Sequence, residues 1–588
     1  MIRTLDLPWG VSHPAVQYWK DKKVHVYRGA MLPDSLQDYA SQDFSYHRWI
    51  EDELNGMVLP PEKHNVKFTP RDHQIQAAKS ILLAYKRGDR GFIEADKTGL
   101  GKTLSTLSGV CAIAKNEKFN TNKKAKLLVV CPKGVIPVWR QTLHSYPISS
   151  ALLRVMVINY QQLNKLLTTP SQAKVAKKTR TKNVQTARNG KPKIDWDYII
   201  FDEAQYLKNY PKSTASLSAS SVARLNEPYA KSKTPFVIYS TATPGSTPLN
   251  LACMSGILAP LLYNSESSKK ITPNTWPSFL EKIGFSIKKS KKGEYRWIQP
   301  PWGSKNDTPS ERRKAKAEEA RVKKLQRADS QRIGKALLKA NAPFIMRSPS
   351  DIAGWPEQQL IPYPLELTSR QWPMYRAAWS RFRDWLRMPG SRNDPKGALV
   401  EMLRYRQKTS LLKVEPLQEF IEDSVESGKQ VYISCEFLET VDAYIEFLEK
   451  KKIPYAELTG RRSDIRTEER LRFQKGEAKV VLCNIVEGIS LHANEALPDG
   501  SKASSNPRVT IIHDVRQNDL NTDQSLGRAH RDGENSLIYF PYFSKTIDEK
   551  SIARYVNKRS NMKSMLGSDI DEAEDLEQLF FRKAAEDQ

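Results

Sequence analysis

Short apolar runs, each closed by glycine, proline or an acidic residue, recur along this chain in two series separated by a highly charged stretch. The first series comprises GFIEA from Gly91, Leu127 to Pro132, Val155 to Asn159, YIIFD from Tyr198 and PFVIYS from Pro235. Continuous β-branched runs of this length do not alternate with polar residues, which is the pattern of strands covered on both faces, as in a parallel sheet. Helical stretches lie between them. FTPRDHQIQAAKSILLAYKRG sets Ile75, Ala78, Ile81 and Leu82 on one face, and a further helix is predicted over Thr103 to Ala114. The second series reads KQVYISCEF, IPYAELTG, VVLCN, VTIIHD and SLIYFPYF. Strand and helix in alternation, twice over, predict an α/β protein built on two parallel sheets in tandem.

The interruptions divide the chain. Residues 1–60 carry many aromatics among charges without a usable period and read as an accessory segment that packs on its neighbour. A first lobe is expected over 61–345. Within it, residues 171–193 hold eight basic residues and no acid, the composition of a mobile loop, either solvated or reaching to DNA. Residues 261–340 break the α/β rhythm with a charged helical insertion whose positive character suits contact with DNA. A second lobe is expected over 346–566, and 567–588 form an acidic tail.

Lys and Arg outnumber Asp and Glu by 93 to 66 in 588 residues, a formal charge of +27 that makes nucleic acid the first partner to consider. The five cysteines are scattered without a CxxC pair, and the histidines have no metal-ligand spacing, so neither a disulfide frame nor a zinc site is indicated. No signal peptide or membrane span is legible, which points to a soluble intracellular protein of a microbial cytoplasm or nucleoid, or of a nucleus.

Chemistry concentrates where strands end. After the run at Gly91, the sequence turns through Gly99 and Gly101 into Lys102 and Thr103 at a helix start. Glycines there let backbone N–H groups crowd a polyphosphate, Lys102 can reach the β- and γ-phosphates, and the Thr103 hydroxyl can ligate Mg²⁺. Asp96 stands where the strict phosphate-loop pattern asks for glycine and is counted with the loop's nucleotide-binding residues. The strand at Tyr198 delivers Asp202, placed to hold Mg²⁺ through water, and Glu203, placed to orient and deprotonate an attacking water. Gln74 has the donor and acceptor needed to read an adenine edge. Thr241 and Thr243 supply hydroxyls that can bond the carboxylates and relay the nucleotide state to a neighbouring groove.

Asp96-x-x-Gly-x-Gly-Lys-Thr103, followed by Asp202-Glu-Ala-Gln-Tyr-Leu-Lys-Asn209, resembles the Swi/Snf-like branch of helicase superfamily two. The resemblance runs from about residue 65 to 566. It implies two RecA-like lobes with ATP and Mg²⁺ in the cleft between them and double-stranded DNA across both. Arg71 and Gln74 match the family's adenine-reading pair, and Lys133 would meet a DNA phosphate after motif Ia. Thr241-Ala-Thr-Pro244 matches motif III, Gly460 and Arg470 match motif IVa, and Asn484 to Leu491 occupy the place of motif V in a shortened form, so the resemblance puts Thr241, Thr243, Gly460 and Asn484 with Lys133 at the nucleic acid. Gln524 to Arg531 resembles motif VI, with Gln524 at the nucleotide and Arg528 and Arg531 reaching the γ-phosphate. The family generally translocates on duplex DNA without separating strands, and a monomer acting on DNA or on a DNA-bound protein is expected. A strand-separating DNA or RNA helicase, a nucleic-acid-binding protein without turnover and a DNA-dependent switch stay open as alternatives.

Overall fold

The computed structural model describes the strands at residues 2–5, 16–19 and 24–28 and, with short gaps, residues 70–555. At the N-terminus β1 (Ile2–Leu5), β2 (Val16–Trp19) and β3 (Val24–Arg28) form an antiparallel sheet in the order β1-β3-β2. The sequence pattern had given this segment no fold.

The first large sheet collects β4 (Gly91–Glu94), β5 (Ala125–Cys131), β6 (Leu153–Asn159), β7 (Tyr198–Asp202) and β8 (Phe236–Ser240). The insertion follows as two short helices, a hairpin of β9 (Ile287–Lys289) and β10 (Tyr295–Trp297), and the 29-residue helix Pro309–Leu337. Asp329 of that helix ties the hairpin down, its carboxylate accepting from Ser286 N and Trp297 Nε1 at 2.9 Å each. The chain then returns as β11 (Phe344–Ile345), giving the all-parallel order β11-β4-β8-β7-β5-β6. Successive residues of these strands fill opposite cores. Ile93, Val130, Phe201 and Tyr239 face one, and Phe92, Val129, Ile200 and Ile238 face the other. Burial on both faces is the physical reason the strands read as unbroken apolar runs.

A second all-parallel sheet contains β12 (Gln359–Leu365), β13 (Gln430–Ser434), β14 (Tyr455–Leu458), β15 (Val480–Cys483), β16 (Arg508–Ile512) and β17 (Ser536–Phe543), ordered β12-β17-β16-β13-β15-β14. The expected α/β architecture of two tandem parallel sheets is therefore present. All five cysteines are buried thiols, and no described helix is long and apolar enough to cross a membrane.

One expectation is overturned. The basic segment 171–193 contains the helices Ser171–Val175 and Thr179–Asn189 rather than a mobile loop. Ala173, Thr186 and Ala187 are buried, Ser221 Oγ donates to Ala187 O at 2.7 Å, and Thr168 N bonds Lys191 O at 2.8 Å. Composition hid this because a few small residues and backbone bonds anchor the segment while Lys174, Arg180, Lys182, Arg188 and Lys191 stay exposed.

The second lobe carries a buried polar cluster below its strand ends. His513 lies between the Ser410 carbonyl at 2.9 Å and the Tyr444 hydroxyl at 2.8 Å. A carbonyl only accepts, so Nε2 bears the hydrogen and Nδ1 accepts from Tyr444, a fully satisfied neutral ring. Burial holds the His513 pKa down from 6.5 to about 4. The unfolded chain therefore takes up this proton first, and stability is lost as pH falls from 6.5 toward 4. Urea unfolding should show about 2 kcal/mol less stability at pH 5 than at pH 7.5 from this group, a slope that His513→Gln removes. An unchanged slope in the variant would refute the assignment.

Candidate active site

In a parallel sheet the C-terminal strand ends share one edge, where loops and helix N-termini present their groups. Here the register pairs Glu94 of β4 with Ser240 of β8, and Ser240 with Asp202 of β7. The phosphate loop, the paired carboxylates and the Ser240-Thr241 hydroxyls thus leave the sheet side by side.

The loop is built for close backbone approach. Gly99 and Gly101 adopt φ of 100° and 76°, the left-handed region that favours glycine. A Cβ on Gly101 would stand 2.3 Å from the Gln74 amide nitrogen. That amide donates to the Leu100 and Gly101 carbonyls at 3.3 Å each, and its oxygen accepts from Arg71 N at 2.9 Å. Arg71 and Gln74, at the start of helix Asp72–Arg87, are thereby brought onto the loop. Lys102 and Thr103 open helix Lys102–Thr121 and are half-buried, with Lys102 Nζ donating to Asp96 O at 2.8 Å.

Asp96 departs from its expected role. Its side chain is 0% exposed and its carboxylate accepts from Arg347 Nε at 3.2 Å to each oxygen and from Nη2 at 2.5 Å. It holds the loop to the strand edge instead of facing a nucleotide. Arg347 was not singled out from sequence, since the contact spans 251 residues and leaves no local pattern.

Asp202 sits among three donors: Trp139 Nε1 to Oδ2 at 2.7 Å, Ser240 Oγ to Oδ1 at 3.0 Å, and Glu203 N to Oδ1 at 3.1 Å. The Tyr160 hydroxyl donates to its carbonyl at 2.8 Å. Burial and then the neighbouring Glu203 push its pKa up to about 6, while the Trp139 and Ser240 bonds pull it down. Trp139, buried behind β5, is therefore an Asp202 donor, and Ser240 rather than Thr241 is the hydroxyl that bonds the carboxylate. A carboxylate has roughly four lone-pair sites, so three protein donors leave room for a metal-bound water but little for direct ligation. Among the described residues no group of three or more His, Cys, Asp and Glu could hold a metal by itself. Both facts fit Mg²⁺, which keeps several waters and leans on substrate phosphates.

Glu203 has φ of 54°, unusual for a residue with a side chain. Its Oε2 accepts from Gln205 Nε2 at 2.8 Å and from Gln524 Nε2 at 3.1 Å. Gln524 belongs to helix Asp519–Leu526 of the second sheet, so the two halves meet on this carboxylate. Thr241 is 0% exposed and donates to Gln205 Oε1 at 2.7 Å, which corrects its expected nucleic-acid contact: it touches Glu203's partner instead. Arg528 is only 4% exposed and lies near Tyr432 within the second lobe. Lys133, in the turn after β5, and Gly460, after β14, are exposed at strand ends. Asn484 directly follows β15, its carbonyl accepting from Arg516 Nη2 at 2.9 Å. Thr243, Arg531 and residues 485–489 lie outside the described residues.

Residues 73–229 match the family described as the SNF2-related domain. Curated relatives agree over the same kind of reach. The ATP-dependent helicase BRM of Arabidopsis thaliana is 32% identical over 161 residues, 26% of this chain and 7% of that protein. The chromatin structure-remodeling complex protein SYD of the same plant is 26% identical over 194 residues, 30% of this chain and 5% of that protein. The ATP-dependent helicase brm of Drosophila melanogaster is 24% identical over 238 residues, 39% and 13% respectively. The chain thus matches only a small fraction of the length of these relatives. Among solved structures, the Sulfolobus solfataricus SWI2/SNF2 ATPase core in complex with dsDNA is similar at 19% identity, over 86% of this chain and 95% of that one, with a TM-score of 0.31.

Proposed function

We propose that this protein is an ATP-dependent motor on double-stranded DNA, with two RecA-like lobes at 61–345 and 346–566 closing on one nucleotide. The observation that carries the reading is the 3.1 Å bond from Gln524, in the second lobe, to Glu203, in the first. It joins the residue that would read the γ-phosphate side of the cleft to the residue that would activate water.

Gln74 and Arg71 bind the adenine end, and the glycine loop with Lys102 cradles the phosphates. For this Lys102 leaves the Asp96 carbonyl, a move of one flexible side chain. Thr103, and Asp202 through water, would hold Mg²⁺, which offsets charge on the phosphate oxygens. Glu203 takes the proton of the attacking water, and Arg528 and Arg531 bring positive charge to the leaving phosphoryl group. Arg528 must swing out of its buried position to do so, which makes lobe closure a condition of turnover. Each cycle of closure and release advances the protein along DNA without strand separation. The net charge of +27 and the exposed Lys133 and Gly460 support the nucleic-acid partner. The similarity to an ATP-dependent helicase and to a chromatin structure-remodeling complex protein supports action on DNA or on proteins bound to it.

Phosphate release should be measured with duplex, forked and single-stranded DNA and with RNA at one stated salt concentration. Duplex DNA is expected to stimulate most, with the stimulation falling steeply as salt rises. Preferential stimulation by single strands or RNA would favour a strand-separating helicase, and release that no nucleic acid changes would retire the motor.

A further inference from the structure

Arg347 follows the last strand of the first sheet, and only a short connector separates it from β12 at Gln359, the first strand of the second. Its side chain is only 13% exposed. The guanidinium donates to both Asp96 carboxylate oxygens and, through Nη1, to His73 O at 2.6 Å. Its own carbonyl accepts from Lys97 N at 2.9 Å, and Ile345 O accepts from Ala95 N at 2.8 Å. One planar fork therefore joins three elements: the interlobe connector, the phosphate loop, and the first turn of the helix that carries Gln74. The Asp96 carbonyl on the same loop residue receives Lys102 Nζ.

We propose that Arg347 is a positioning residue that couples nucleotide occupancy of the phosphate loop to the connector, and through it to the second lobe. The inference rests on the nucleotide site proposed above. When Lys102 releases the Asp96 carbonyl to meet a phosphate, the loop strand around Asp96 is free to shift. Arg347 is bonded to that strand by side chain and backbone alike, so the connector moves with it. Arginine suits the task because its fork meets a carboxylate with two parallel bonds and still has a donor for a third acceptor, a geometry that a lysine ammonium lacks. Coupling of this kind is reciprocal: DNA bound across both lobes must change nucleotide affinity by the same factor that nucleotide changes DNA affinity.

The test measures binding of a fluorescent ADP analogue without Mg²⁺, with and without saturating duplex DNA, so that no turnover is involved. Wild type is expected to show a DNA-dependent change in affinity, of the order of 5- to 150-fold by typical coupling strengths. Arg347→Ala should weaken ADP binding about tenfold, the worth of one charge-assisted hydrogen bond, and reduce the DNA effect toward none. Added guanidinium ion should restore part of both, which a merely structural defect would not allow. Because Arg347→Ala leaves Asp96 buried without its partner and can fail to fold, the double variant Asp96→Asn with Arg347→Gln is measured beside it. That pair buries no lone charge and is expected to fold yet remain uncoupled. A DNA effect of wild-type size in either folded variant overturns the proposal. Lys102→Ala separates the two levels of inference: if it leaves ADP binding unchanged, the nucleotide site itself is wrong, whereas loss there with normal coupling in the Arg347 variants removes only this inference.

Discussion

Replacing Glu203 with glutamine is expected to lower ATP turnover by a factor of about 10² to 10⁴, the usual worth of a general base, while nucleotide binding survives. The substitution keeps shape and volume, so the contacts with Gln205 and Gln524 can re-form with the amide, but the side chain can no longer accept the proton of water. The backbone supports the assignment independently. A left-handed conformation costs a residue with a Cβ roughly 1 to 2 kcal/mol, and such strain persists where the surrounding structure imposes it. It aims the carboxylate out of β7 toward Gln524 rather than along the sheet. Rapid-quench turnover beside equilibrium nucleotide binding checks the split. Loss of binding together with turnover would make Glu203 structural.

Lys102→Ala is expected to reduce both nucleotide affinity and turnover, the latter by about 10² to 10³, as for removal of one preorganised donor at developing charge. The change should not unfold the first lobe. Lys102 is half-buried and its Nζ donates to the Asp96 carbonyl, on the loop rather than in an apolar core. Isothermal titration with nucleotide and a thermal melt distinguish the outcomes: intact melting with lost binding supports the site, and wild-type binding contradicts it.

The fold was legible because its signal is carried by runs such as Leu127 to Cys131 and Tyr198 to Phe201, which are apolar for the same reason they are central. The spacing of Gly99, Gly101, Lys102 and Thr103 and the pair Asp202 and Glu203 was legible because a phosphate loop and a strand-end carboxylate pair are local patterns. What escaped was the support. Trp139 reaches Asp202 from the helix Ile136–Ser145 after β5 and Ser240 from the end of β8, across 63 and 38 residues, and Arg347 reaches Asp96 across 251. Nothing adjacent in sequence marks those contacts; they follow only from which strands the sheet sets side by side. The misreading of Asp96 has the same origin, since a carboxylate in a phosphate loop suggests a ligand until its buried partner is known. Residues 171–193 misled in the other direction, because composition counts every lysine but not the three buried positions that fix the helices.

The central claim is that chemistry at one triphosphate needs groups from both sheets. Single-turnover phosphate release on duplex DNA, comparing wild type with Arg528→Ala, tests it most directly. Arg528 follows helix Asp519–Leu526 of the second sheet's half, so a loss of about 10³-fold, in the range seen for arginines that stabilise phosphoryl transfer, is the expected result. An Arg528→Ala protein that folds and releases phosphate at the wild-type rate would contradict it.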